Sequence, residues 1–441
     1  MKSITVRFDR PLGTMMPQHG ICNVDDRIIA APDLYGYEEC VRSQALMDDI
    51  RFPVTCMKHY CGNGIGKNFD VPYVFRDFSK DADDPQSYFF YVTDDNLCRM
   101  FTCEERFFVY RLGAARELFT PPLYGKVPSD FEKFAKVCVH IVMHYNDGWA
   151  GGMHAGIKYW SVWERPDDRY NWHGTAEEYF KLYEATAKAI KQYDPSLKVG
   201  GPSVADMSDP AFLKNFLTYV KRHDVPCDFV SWNYAGEDIA EAARQARTVK
   251  ELVAACGLPE ETEIINDLWN CMTIDDKGYF KVPHVRDAYG GAFDAAFMIE
   301  MQKAGMSFCT YYDGCPASPC GGLMVRVLNK ALKPMYSFSA FARLYKKQNS
   351  CLVETEGEGI SALAAGTASD GCALIATCEP GACQMQLNLG KGCKTVYLTD
   401  ENNDMSVLYA GEDEAVTTEL NGPSVLFVDY SGKENCGKAY I

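Results

Sequence analysis

Histidine is scarce, at eight in 441 residues, and none falls in an HExxH pattern. Cysteine is not scarce, at 19, yet CxxC spacing is missing: Cys56/Cys61 and Cys315/Cys320 each enclose four residues. That argues against a zinc site, and no metal or cofactor is expected. Many cysteines sit in apolar runs, as Cys138 and Cys309 do, where the residue serves as a small buried hydrophobe. An odd, scattered set of this kind fits a reducing cytoplasm better than a disulfide framework. Positive charge is also short, with 44 Lys and Arg against 60 Asp and Glu and a net charge of −16. Such a surface repels phosphate backbones, which argues against nucleic acid as a partner. No apolar run approaches the roughly 18 residues of a membrane span, and the N-terminus lacks the apolar core of a signal peptide. The glycines of Gly62-Asn63-Gly64-Ile65-Gly66-Lys67 match neither the dinucleotide nor the Walker spacing, so they read as a loop.

What is present is an alternation. Short apolar runs predict eight strands, near 20–23, 51–58, 107–112, 157–163, 198–201, 228–232, 263–267 and 307–313. Helical patterns separate them. Ser129 to Glu132 reads as a capping box, as does Thr175 to Glu178, and Asp209-Pro210 opens a third helix. Strands alternating with helices imply parallel βα units. The fold class expected is α/β, a (β/α)₈ TIM barrel with a C-terminal antiparallel β-sandwich domain. The barrel is assigned to residues 15–345 and the sandwich to 346–441, where short runs alternate between Gly, Asp and Asn turns. Residues 1–14 also alternate and are expected to add a strand to the sandwich. His140 and His144 share a helix face without a third ligand and read as surface histidines.

In a (β/α)₈ barrel the site lies at the C-terminal ends of the strands. Glu164 after the fourth strand and Asp267 at the end of the seventh would face one another across the ring. Two opposed carboxyl groups are what acid/base cleavage of a glycosidic bond needs. Tyr234, Trp269 and Tyr312 are candidate sugar-stacking aromatics, with Asp313 beside them and Arg111 at the end of the third strand. His59, after the second strand, is carried as a substrate contact.

The run from Asp130 to Trp149, followed by Gly156 to Asp168, Trp172 to Tyr183 and Leu197 to Pro202, closely resembles glycoside hydrolase family 39. That family contains β-xylosidases and α-L-iduronidases. Val71 to Phe78, Tyr110 to Gly113, Asp228 to Trp232, Tyr311 to Asp313 and Lys333 to Phe341 extend the resemblance. It implies a strand-four signature Trp-Asn-Glu-Pro, with Asn on the sugar 2-hydroxyl and Glu as acid/base. Here the four residues are Trp163, Glu164, Arg165 and Pro166. The resemblance places the strand-seven nucleophile, a Glu, at Asp267, and a sugar-binding His at Asn233. A guanidinium stays protonated and cannot shuttle a proton. An Asp retracts its carboxylate by roughly 1 Å, enough to cost about 10²-fold in rate.

Two readings therefore stand. In one, a rewired hydrolase uses Glu164 as acid and Asp267 as base or nucleophile, with Arg165 holding an anionic group of the sugar. In the other, the chain is a catalytically inactive homologue serving as a carbohydrate-binding, regulatory or assembly subunit. A carbohydrate ligand is expected in both, and the β module offers a surface for a homo-oligomer.

Overall fold

Short β-branched runs, each followed by an amphipathic helix, build the larger part of the molecule. The computed structural model describes residues 1–23, 37–57, 69–100, 106–114, 126–275, 280–314, 318, 320–325, 330–430, 432 and 435–441. In chain order, β1 (Lys2–Thr14) precedes β2 (Gly20–Cys22), α1 (Tyr37–Ile50), β3 (Val54–Met57), α2 (Val71–Val74), α3 (Tyr91–Met100) and β4 (Phe107–Leu112). Next come α4 (Phe131–Asp147), β5 (Tyr159–Val162), α5 (Ala176–Tyr193), β6 (Lys198–Val204), α6 (Ala211–Arg222), β7 (Phe229–Gly236), α7 (Ile239–Ala255) and β8 (Glu263–Cys271). A ribbon of β9 (Thr273–Ile274) and β10 (Phe280–Lys281) leads to α8 (Ala288–Ala304) and β11 (Phe308–Tyr311). A second ribbon, β12 (Met324–Val325) with β13 (Lys330–Ala331), leads to α9 (Lys333–Lys346). Strands β14 (Asn349–Glu356), β15 (Ser361–Gly366), β16 (Gly371–Thr377), β17 (Ala382–Asn388), β18 (Lys394–Thr399), β19 (Ser406–Gly411), β20 (Ala415–Asn421) and β21 (Ser424–Asp429) follow.

Strands β2 to β8 and β11 close into a parallel eight-stranded barrel. Three of them run past the ends the sequence suggested, β6 to Val204, β7 to Gly236 and β8 to Cys271. β7 and β8 continue pairing from Asn233↔Leu268 to Gly236↔Cys271, so the ladder itself carries them on. The capping box at Thr175 and Glu178 is present in full. At α4 the cap is Asp130, not Ser129: its carboxylate accepts the Lys133 amide at 3.0 Å. His140 and His144 are also placed differently from expectation. Both are buried against Phe90 and Trp149, and His144 Nδ1 lies 2.7 Å from the Trp149 carbonyl. The aromatic surround, invisible to helical spacing alone, turns that helix face inward.

The remaining strands form one nine-stranded sheet in the order β19-β18-β21-β16-β15-β14-β1-β17-β20. It is antiparallel except where β1 lies parallel to β17. Ile4, Met385, Leu387 and Leu420 from one end share a core with Ile375, Val396 and Leu426 from the other, so the sheet folds over as a sandwich. Period-two alternation gives its strands two jobs. In β15, Ala362 and Ala364 face the sandwich core, whereas Leu363 and Ala365 join the core under the barrel helices. Among the described residues no helix is long and apolar enough to cross a membrane.

Helix α8, packed between the barrel and the sandwich, is buried and almost wholly apolar from Gly290 to Ile299, as a helix covered over that stretch must be. Asp294 is the exception. It is buried with no hydrogen-bond partner on either carboxylate oxygen, and burial pushes its carboxyl well above the usual range. The folded state therefore keeps a proton that the unfolded chain releases, so this residue lowers stability as pH rises above about 4. We expect Asp294→Asn to be more stable than the parent by about 2 kcal/mol at pH 8 and indistinguishable at pH 4. Urea denaturation across that range measures it; equal pH slopes for the two proteins would contradict the assignment.

Candidate functional site at the barrel mouth

Inside the barrel, alternate residues form layers. Phe107, Tyr159, Phe229 and Phe308 plug the N-terminal end, with ring centroids 5.2–5.8 Å apart. Val109 and Ile265 lie in the same interior cluster above them. Continuing the same inward columns leads to Arg111 on β4, Asn233 on β7 and Asp267 on β8.

Two β-bulges shape the mouth. In β6 the pairing jumps from Pro202↔Ser231 to Val204↔Trp232, leaving Ser203 as the extra residue. In β8 it jumps from Trp232↔Asn266 to Asn233↔Leu268, leaving Asp267 extra. The two bulge residues meet. Asp267 Oδ1 accepts hydrogen bonds from Ser203 Oγ at 3.0 Å and from Asn233 Nδ2 at 2.7 Å, and Asn233 also reaches Ser203 Oγ at 3.0 Å. Ser203 sits in the left-handed region (φ 58°), its amide donating to Ser231 Oγ at 2.9 Å. Trp163 (φ 66°) and Arg165 (φ 52°) share that conformation at the end of β5. Left-handed non-glycine residues cost on the order of 1 kcal/mol or more and collect where a site must be shaped.

Glu164 belongs to a second cluster. Its Oε2 lies 3.3 Å from Arg111 Nε, while Arg111 Nη2 lies 2.5 Å from Asp70 Oδ1. All three are buried. Burial opposes the charged guanidinium, but Asp70 and Glu164 more than offset it, and the Arg111 pKa is raised. Arg165 is equally buried, at 4% exposed, and is held differently. Its amide donates to the Ser203 carbonyl at 3.0 Å, linking the two clusters, and its carbonyl accepts from the Asp168 amide. Its Nε is buried without a hydrogen-bond partner. Among the described residues no carboxylate lies within 4 Å of its guanidinium. Nearby Asp167 is occupied by the amides of Ala205 and Asp206; burial raises its pKa against those bonds and the charge of Arg165.

The remaining candidates divide. Tyr312 lies in the interior cluster beside Leu268 and Cys22, its amide donating to the Trp269 carbonyl at 2.9 Å, and Asp313 is fully buried next to it. Trp269 is not at the mouth. The bulge at Asp267 reverses the alternation, so Leu268 turns inward and Trp269 stacks outward on Phe297 (4.1 Å) and Phe338 (6.0 Å). Tyr234, next to inward Asn233, also faces out. Its hydroxyl donates to the Asp238 carbonyl at 2.5 Å and its ring lies 5.9 Å from Phe297. His59 and the 62–67 run lie outside the described residues. Sequence reasoning missed Ser203 and Asp70. The first stands just beyond the predicted end of its strand. The second carried a signal of its own, an Asp directly before the Val71-Pro72 helix start. Removing Arg111 would leave Asp70 and Glu164 buried without their shared cation. Arg111→Met is expected to cost about 3–5 kcal/mol at pH 7 and distinctly less near pH 4, where carboxylates take up protons. Chemical denaturation at both pH values checks this, and a loss below 1 kcal/mol at pH 7 would count against the pairing.

Residues 126–272 match the sequence profile of Glycosyl hydrolases family 39. The β-xylosidase of Geobacillus stearothermophilus is 37% identical over 107 residues, covering 24% of this chain and 20% of the relative. That of Caldicellulosiruptor saccharolyticus is 30% identical over 189 residues, covering 39% and 35%. The chain thus aligns with only about a fifth to a third of the length of these curated relatives. In structure it is similar to a glucosidase from Croceicoccus marinus, with a TM-score of 0.72 at 20% identity over 97% of this chain and 99% of that one. The GH39 enzyme from Xanthomonas axonopodis pv. citri superposes with a TM-score of 0.64 at 15% identity over 97% of each chain. At such identities the likeness is one of fold. Over residues 126–272, a third of the chain, the sequence is similar to glycosyl hydrolase family 39.

Proposed function

We propose that the barrel mouth binds a sugar and presents Asp267 to its anomeric carbon, in a site that among the described residues holds a nucleophile and no general acid at the expected position. The observation that carries this is the Asp267 carboxylate, fixed on an inward bulge by Ser203 and Asn233. Donors on a carboxylate favour its ionised form, which suits a nucleophile or a stabiliser of an oxocarbenium-like centre. Glu164, the acid expected from sequence, is ion-paired to Arg111. A guanidinium neighbour favours the carboxylate over the acid and so opposes proton donation. Arg165, at the position the family resemblance assigns to the acid/base, cannot donate at all.

The family 39 match over residues 126–272 and the names of the curated relatives make β-xylosides and related pentosides the first substrates to examine. A purely binding role is the second reading, favoured by the burial of Glu164, Arg165 and Asp267 together. A reducing, cytoplasmic setting is supported by free cysteines on both domains, such as Cys138, Cys309 and Cys372.

The test is covalent trapping with 2-fluoro xylosides and glucosides that carry a dinitrophenolate leaving group. The expected result is one sugar attached to Asp267 by peptide mass mapping, with turnover of the activated non-fluorinated glycoside reduced about 10²–10³-fold in Asp267→Ala. Labelling of Glu164 instead would refute the assignment. Absence of labelling, with sugar binding indifferent to Asp267→Ala, would leave the binding role.

A further inference from the structure

Two buried arginines stand at this mouth, and the protein treats them oppositely. Arg111 is neutralised by Asp70 and Glu164. Arg165 has no carboxylate within 4 Å among the described residues, and its Nε makes no hydrogen bond. Asp167, whose charge it feels, is already engaged by two backbone amides. The buried Nε of Arg165 is unpaired and the carboxylate whose charge it feels is already engaged, so the retention of this arginine points to an anion that completes it. Its backbone is tied to Ser203, whose hydroxyl is tied to Asp267, so the guanidinium starts from the rim of the same site.

We infer that Arg165 receives the leaving group of a glycosyl donor that departs as an oxyanion, with a glycosyl phosphate or a glycosyl ester as substrate. The inference rests on the reading of Asp267 as the group facing the anomeric carbon. An alkoxide leaving group needs a proton, and among the described residues Glu164 and Arg165, the two at the acid position, are an ion-paired carboxylate and a guanidinium. A carboxylate leaving group needs none, and neither does the phosphate of a glycosyl phosphate monoanion, which departs as the hydrogen phosphate dianion. In the first step a carboxylate oxygen of Asp267 bonds to the anomeric carbon. The bond from that carbon to the phosphate oxygen breaks, and its electron pair leaves with the phosphate. The planar guanidinium offers two parallel N–H donors to the departing oxygens, a geometry lysine lacks. In the second step water attacks the anomeric carbon and the ester bond to Asp267 breaks, returning its electron pair to the carboxylate. The water proton passes to the released phosphate dianion. The sum is glycosyl phosphate plus water giving sugar plus phosphate.

The experiment measures phosphate release by the wild-type chain from both anomers of xylose 1-phosphate and glucose 1-phosphate. Parallel arms use the matching 1-O-acetyl sugars and 4-nitrophenyl uronides. The expected result is turnover of a 1-phosphate or 1-acyl sugar, the active arm naming the oxyanion. In Arg165→Met, kcat/KM on that donor should fall about 100-fold while the protein unfolds at a similar denaturant concentration. Arg165→Glu should shift preference from that donor towards 4-nitrophenyl xyloside, a reversal that a merely structural arginine would not produce. The inference falls if Asp267 is labelled by the fluoro sugars yet no oxyanion donor is turned over. It also falls if only uronides are cleaved, since Arg165 would then serve the sugar. With neither labelling nor turnover, the reading of Asp267 falls with it.

Discussion

The bonds that Ser203 and Asn233 donate to Asp267 are the constraint around which the barrel mouth is arranged. A carboxylate in the barrel interior must be met by donors, because leaving it unmet costs more than any local strain at the mouth. Neither Ser203 nor Asp267 sits in regular strand pairing. Each is the extra residue of a bulge, and the two bulges flank β7, which contributes Asn233. The left-handed conformation of Ser203 is held by its amide bond to Ser231, so strand β7 both orients the donor and stabilises its strained backbone. Strain at this site is thus sustained by hydrogen bonds across three adjacent strands.

The same bulge explains what could and could not be read from the sequence. The strand from Phe107 to Leu112 has the predicted bounds, since alternating burial and β-branched or aromatic residues suffice to mark it. The barrel, the capped α5 and the inward placement of Arg111, Asn233 and Asp267 follow from the same periodicities. Trp269 does not. Strict alternation from Ile265 through Asp267 would bring it to the mouth, and only an inserted residue sends it outward to Phe297 and Phe338. Tyr234 and Asn233 are adjacent, so at most one could face in. Ser203 was illegible for a different reason: its importance lies in partners 28 and 64 residues away, which no local pattern encodes. His140 and His144 show the reverse case, in which a helix face that reads as polar is buried by rings from another segment.

Charge at the mouth is distributed unevenly, and that unevenness carries functional content. Asp70, Arg111 and Glu164 form a set in which each charge answers another. Such buried sets are weak evidence of stability and better evidence of fixed geometry, because removing any member is costly. Arg165 lies outside this set although the chain brings it next to Glu164 in sequence. An adjacent carboxylate would be its natural partner in a silent site. Here Arg111 has taken that carboxylate, and the charge that Arg165 feels is that of Asp167, itself engaged by backbone amides.

The sandwich supports this arrangement from behind. Leu363, Ala365, Leu374 and Ala376 face the helices and share one core with Phe297 and Phe338. Those two rings are the surface against which Trp269 stacks, and Trp269 lies two residues beyond the bulged Asp267. The outward turn of Trp269 is what the bulge permits, and the apolar wall of α8 and α9 is what makes that turn favourable. Without the sheet over them, helices as apolar as α8 would face water, and the wall would lose its reason to hold that form. The β module is therefore structurally continuous with the site. The position of a carboxylate at one end of the barrel depends on a stack of rings that the module keeps dry.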